Sequence, residues 1–175
     1  MAARGLRFDL ATDRGTFSPG RLDPGTGFLL DAAPEPPTAG RFLDLGCGYG
    51  PIACTLAQLA PGAEVVAVDV NERARALCAA NAAALGLGNV VVAAPDAVDG
   101  TFDLLWSNPP IRIGKAALHD LLRHWIGRLA PGGTAVLVVN RHLGADSLQR
   151  WLTEEGHPTE RLASKKGYRL LRSGG

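Results

Sequence analysis

Short runs of Val and Leu recur along this chain, each followed by a stretch with helical spacing. That alternation limits what the chain can fold into more than any other feature. Phe42 to Leu45, "EVVAVDV" at 64–70, "NVVVAA" at 89–94, residues 102–107 and "GTAVLVVN" at 133–140 read as strands. Between them lie "PIACTLAQLA", with Pro51 in its first turn, and an alanine-rich helix capped by Asn71 and ending near Gly86. Amphipathic helices follow over 115–129 and 144–155, and 157–163 with 167–172 forms a closing antiparallel pair. Strands apolar on both faces and alternating with helices predict an α/β fold, a mostly parallel sheet covered on both sides.

One domain accounts for all 175 residues. The linker-like "DAAPEPPTAG" at 31–40 sets off a Gly- and Thr-rich amino-terminal segment, 1–40, from the core over 41–175. That segment is too short for a core of its own and reads as an appendage. A net charge of +1 gives no global attraction to a polyanion, so a nucleic-acid site must come from local clustering. Cys47, Cys54 and Cys78 form no CxxC pair, which favours reduced thiols in a cytoplasmic protein. The four histidines show no metal spacing, and no apolar run approaches the ~20 residues of a membrane span. No metal and no membrane partner are expected.

"LDLGCGYGP" at 43–51 stands where the first strand meets the first core helix, the ligand edge of such a sheet. Gly46, Cys47, Gly48 and Gly50 make a loop that a ligand can approach closely. Asp69, with Val70 after it, ends the second strand and suits both hydroxyls of a ribose. A dinucleotide loop needs a different third glycine, so a cofactor with adenosine and no pyrophosphate fits best: S-adenosylmethionine. Asp96 after the third strand suits an adenine amino group, with the Ala97 amide toward a ring nitrogen. Asp44 either orients the methionine end or caps the loop.

"WSNPPIRIGK", 106–115, ends the fourth strand on two residues that cannot donate a backbone hydrogen bond. Beside a methyl donor, the Asn108 oxygen and the Pro109 carbonyl can accept the two hydrogens of an exocyclic amine. That draws its lone pair out of the aromatic ring. The prolines, Pro109 and Pro110, fix the loop in advance.

"TDRGTFSPGRLDPGTGFLL", "LDLGCGYGPIA", "VDVNERA", "SNPPIRIGK" and "APGGTAVLVV" together resemble the small-subunit ribosomal RNA guanine-N2 methyltransferases and their short single-domain bacterial relatives. The resemblance runs from about Phe8 to Leu171. It implies a Rossmann-like class I methyltransferase fold with a seven-stranded, mostly parallel sheet and a closing antiparallel strand. The implied product is N2-methylguanosine in 16S ribosomal RNA, with Asn108, Pro109 and Pro110 at the target amine. The implied partner is ribosomal RNA or the small ribosomal subunit. The amino-terminal segment would cover the cofactor, bringing Thr16, Phe17 and Thr26 to its methionine end.

Two departures bear on the substrate. The two-domain members carry an extra amino-terminal domain, and they place an aromatic after Asn-Pro-Pro where this chain has Ile111. Either another aromatic then stacks on the base, Phe17 or Trp106 being the nearest, or the base is held mostly by hydrogen bonds. Arg112 and Lys115 flank the loop, and the tail "RLASKKGYRLLRS" carries Arg161, Lys165, Lys166, Arg169 and Arg172 with no acid between them. Together with Ile111, the cations Arg112, Lys115, Lys165 and Lys166 are candidates for RNA contact. Two alternatives remain: transfer to another amine, a protein glutamine or an adenine, and a non-enzymatic cofactor- or RNA-binding module.

Overall fold

The computed structural model describes residues 1–7, 9–12 and 22–174. Seven strands form one sheet: β1 (Ala39–Leu45), β2 (Gly62–Val68), β3 (Val90–Ala93), β4 (Phe102–Ser107), β5 (Leu129–Asn140), β6 (Thr159–Lys165) and β7 (Tyr168–Gly174). Their order across the sheet is β3-β2-β1-β4-β5-β7-β6. Parallel pairing joins β3 through β5, and β7 then runs antiparallel to both β5 and β6. The expected mostly parallel sheet with a closing antiparallel strand is what the chain forms. The order reverses between β1 and β4, opening a crevice at their carboxyl ends.

Helices cover both faces: α1 (Pro24–Ala32), α2 (Pro51–Leu59), α3 (Glu72–Ala84), α4 (Lys115–Ile126) and α5 (Ala145–Glu154). Alternation along β1 decides which residue meets which layer. Phe42 joins Leu56, Val65, Leu104 and Trp106 beneath α1 and α2. Leu43 and Leu45 join Val66, Leu105, Leu118, Leu122 and Leu148 beneath α4 and α5.

The linker expected at 31–40 is shorter than it looks, because α1 runs to Ala32 and β1 begins at Ala39. Nor is α1 a loose appendage: Phe28, Leu29 and Leu30 are buried in the same cluster as Phe42 and Val136. Asp23 caps the helix and Pro24 opens it, signals hidden in "RLDPGTGFLL" among so many turn residues. Arg4 ties a small antiparallel ribbon (Ala2–Ala3 with Leu6–Arg7) to the far end of α1, donating to the Leu30 carbonyl at 2.5 Å and to that of Ala33.

The last hairpin lies one to two residues later than expected, with Lys166 and Gly167 as its turn. Both have positive φ, +48° and +85°, the geometry of a two-residue turn matched to strand twist. Trp106 is wholly buried between β1 and β5 and cannot stack on a base.

Candidate active site

The glycine loop between β1 and α2 is held from below. Gly46 and Cys47 both donate to the Val68 carbonyl at 2.9 Å, and Gly50 donates to Cys47. Gly50 serves as the N-cap of α2 with φ +93°, and a Cβ there would stand 2.8 Å from the Cys78 sulfur. Only glycine meets both demands. A glycine has no side chain to cap the helix, so Asp44 does it from the strand. On the Phe42 side of β1, its Oδ2 accepts from Ala53 N at 2.9 Å. Its Oδ1 is buried with no hydrogen-bond partner. Burial, with Asp69 nearby as a smaller contribution, pushes the Asp44 carboxyl up to about 8.

Asp69 follows β2, and its two oxygens accept from Gly48 N at 3.0 Å and Asn71 N at 2.9 Å. The carboxylate thereby joins the glycine loop to the head of α3 and keeps lone pairs toward the cleft. Asn81, buried on α3, braces the loop from behind. Its amide donates to the Tyr49 carbonyl at 2.8 Å and exchanges two bonds with the Ala11 backbone, at 2.8 and 3.0 Å. One side chain thus ties Ala11 to the glycine loop.

Across the crevice, Ser107 donates to the Leu45 carbonyl at 2.7 Å, clamping the end of β4 to the end of β1. Asn108 follows at once. Its amide nitrogen donates to Asp23 Oδ2 at 2.8 Å and to Thr26 Oγ1 at 3.1 Å. The Pro109 carbonyl accepts from Ile111 N at 2.8 Å, so one of its lone pairs is already used and one remains.

These elements enclose a cleft of about 620 Å³. Of the expected residues, Gly46, Cys47, Gly48, Asp69 and Val70 line one side, and Thr26 lines the cleft as well. Asn108, Pro109, Pro110, Ile111 and Arg112 line the other side. Val70 is 85% exposed. Asp44 and Gly50 lie behind the wall, as support. The expectation for Ala97 fails: its amide donates to the Ala94 carbonyl at 3.0 Å in a tight turn. Asp96 faces a separate shallow hollow with Asp99, His124 and Arg128, while Pro95 alone of that turn reaches the cleft.

Lys115, Lys165 and Lys166 are exposed outside the cleft. Thr16 and Phe17 lie outside the described residues. The uninterrupted basic tail is an effect of reading in one dimension, since Arg169 pairs with Asp146 at 2.6 Å and Arg172 with Glu160.

Sequence reasoning missed Asp23, Tyr49 and Asn140, which line the cleft together with Tyr168. Asp23 carried a signal, an acid before Pro at a helix start. Tyr168 carried none that separates a cleft residue from a hairpin residue. Its ring reaches the cleft because Gly25 leaves room: a Cβ there would stand 2.8 Å from the ring.

The three thiols show no catalytic character. Cys47, Cys54 and Cys78 are buried and free. A hydrogen bond to Cys78, then burial, raises the Cys47 thiol far above its ordinary range, and burial pushes Cys54 up to about 12. Among the described residues no group of His, Cys, Asp and Glu is placed to hold a metal ion. No helix among them is long and apolar enough to cross a membrane.

This sheet order, with a braced glycine loop, a carboxylate after β2 and Asn-Pro-Pro after β4, defines a class I methyltransferase. The chain belongs to the methyltransferase small domain family, whose model matches residues 7–172. It is 35% identical over 175 residues to the uncharacterized protein YbxB of Bacillus subtilis (strain 168), covering 97% of this chain and 87% of that one. It is 38% identical over 135 residues to ribosomal RNA small subunit methyltransferase C of Shewanella amazonensis, covering 74% of this chain and 39% of the relative. The chain therefore spans about two fifths of that longer relative. Among solved structures, the T. thermophilus 16S rRNA N2 G1207 methyltransferase (RsmC), in complex with AdoMet and guanosine, superposes with a TM-score of 0.83 at 27% identity. That match covers 99% of this chain and 49% of the other.

Proposed function

We propose that this chain transfers a methyl group from S-adenosylmethionine to the exocyclic N2 amine of a guanine in 16S ribosomal RNA. The cofactor side of the cleft fits that donor. Asp69 suits the ribose hydroxyls and the exposed Val70 the adenine face, and a cationic cofactor would favour ionisation of the buried Asp44 carboxyl behind the glycine loop. Bound there, the cofactor supplies an electrophilic methyl on a cationic sulfur.

The observation that carries the acceptor reading is the state of Asn108. Both amide hydrogens are spent on Asp23 and Thr26, and among the described residues no donor reaches its oxygen. That oxygen and the remaining lone pair of the Pro109 carbonyl form a pair of fixed acceptors. They take the two hydrogens of an aromatic amine, localise its lone pair, and stabilise the positive charge that grows on nitrogen. No strong base is needed, because the proton leaves once the nitrogen is cationic.

RNA access is supported by the rim. Arg112 lines the cleft, and Lys115, Lys165 and Lys166 are exposed. Arg141 belongs with them, because its backbone bond to the Gly167 carbonyl at 2.7 Å sets it against the Lys166–Gly167 turn. Ile111 in place of an aromatic encourages only the reading as a non-enzymatic cofactor- or RNA-binding module, which would hold cofactor and transfer no methyl to any ribosomal fraction. Labelled cofactor, small ribosomal subunits from a strain lacking the protein, and mass spectrometry of the nucleosides decide between them. N2-methylguanosine is expected; N6-methyladenosine or labelled protein as the sole product sinks the guanine reading.

A further inference from the structure

Asp23 does two things with one oxygen. Its Oδ2 caps α1 by accepting from Thr26 N at 2.9 Å, and it accepts from the Asn108 amide at 2.8 Å. The Thr26 hydroxyl takes the second amide hydrogen at 3.1 Å, and both partners lie more than eighty positions from Asn108 in the chain. Thr26 is buried, and Gly25 between them has no side chain to push the Asp23 carboxylate or the Tyr168 ring aside.

A carboxamide has two ends of similar shape and opposite hydrogen-bonding sense. Turned by half a rotation, Asn108 would present hydrogens to an incoming amine, which is itself a donor, and the two would repel. A hydroxyl such as that of Thr26 can accept or donate, so it cannot choose the orientation. An ionised carboxylate only accepts. We infer that Asp23, aided by Thr26, is the positioning residue that locks the Asn108 amide with its oxygen toward the methyl acceptor. The inference rests on the proposed reading, in that Asn108 must face an amine. Helix α1 is thereby part of the catalytic apparatus, although it lies outside the α/β repeat.

The test uses Asp23→Ser, which keeps a helix-capping oxygen but is too short to reach Asn108, alongside Asn108→Asp and the double variant D23N/N108D. Asp23→Ser should melt within about 4 °C of the parent and hold cofactor nearly as well by calorimetry. Its single-turnover methyl transfer to small ribosomal subunits should fall roughly ten- to a hundredfold. Asn108→Asp sets two carboxylates face to face and should lose about a hundredfold or more. The double variant reverses donor and acceptor between the two side chains, and should run at least about tenfold faster than Asn108→Asp alone.

Asp23→Ser at the parental rate, or a double variant no faster than Asn108→Asp, overturns the inference. Product analysis of the parent keeps the two readings apart. If the parent methylates a different amine, the guanine reading falls while the variant-to-parent ratios still decide this one. A readout independent of turnover is the Asn108 side-chain amide in a nitrogen-15 spectrum, assigned by its loss in Asn108→Ala. Its slow hydrogen exchange should become fast in Asp23→Ser, and unchanged exchange again overturns the inference.

Discussion

A carboxyl buried behind the glycine loop should make the stability of this protein fall as the solution becomes more alkaline. Asp44 is fully buried, with one oxygen bonded to Ala53 N and the other unpaired. Burial raises its folded-state value from 3.8 to about 8. Between those two values the folded state holds a proton that the unfolded state has released. Stability from this group is therefore complete below about pH 4 and is lost as pH rises toward 8, at up to about 1.4 kcal/mol per pH unit. Asp44→Asn keeps an acceptor for Ala53 N and has nothing to titrate. Subtracting its denaturant-melt stability from that of the parent, at each pH from 5 to 9, cancels the other groups. The difference should decline through pH 8 and then level off. A cationic cofactor above the loop should reverse the trend by favouring the ionised form, so binding near pH 7 should release protons in the parent and not in Asp44→Asn. Calorimetry in buffers of different ionisation enthalpy counts them. Parallel stability curves, with equal proton release, refute the burial argument.

Asp69→Ala removes the proposed ribose acceptor and the tie between Gly48 and Asn71, so cofactor affinity should drop roughly ten- to a hundredfold, at about 1.5–3 kcal/mol for bonds to a charged group; unchanged affinity in a folded variant refutes the ribose assignment. Asn81→Ala touches no ligand but frees Ala11 and Tyr49, so it should cost about 1–3 kcal/mol and quicken proteolysis of the amino-terminal segment; protection equal to the parent would mean that another interaction holds it. Neutralising Lys165 and Lys166 should lower the salt slope of RNA binding by about one unit for each phosphate no longer neutralised, leaving cofactor affinity alone. Lys166→Gly separates charge from backbone, because relief of the positive φ should add about 1 kcal/mol of stability even as RNA binding weakens. Weakened stability there would count against the turn geometry.

The sheet was legible because its signals are local. Val and Leu runs, Pro51 at a helix start, Asn71 as a cap and Gly86 after a helix each declare an element within a few residues. Helix α1 was not legible. Five of the nine residues from Pro24 to Ala32 are buried, yet two glycines and a threonine among them look like loop. What makes a helix there is the Asp23 cap, the opening proline and the sheet that Phe28, Leu29 and Leu30 cover. Only the last of these is tertiary, and it is the one that decides.

The site divides along the same line. Gly46, Gly48, Asp69 and Asn108 could be placed from sequence, because each follows a strand at the ligand edge of the sheet and strand ends are easy to find. Asp96 and Ala97 follow a strand too, yet their tight turn consumes the Ala97 amide and points Asp96 away. Position at a strand end brings a residue near the cleft, and hydrogen bonding decides whether it serves there. Asp44 shows the converse. It shares the Phe42 face of β1 by simple alternation, so the sequence already directs it toward α2 and away from the cleft. Its use there follows from Gly50: a loop that needs glycine for its turn gives up its own helix cap, and an acid on the strand below replaces it. Asp23 extends that logic across the molecule. The acceptor amide at Asn108 has no orientation of its own, and the residue that gives it one sits 85 positions earlier in the chain, where no local pattern connects the two.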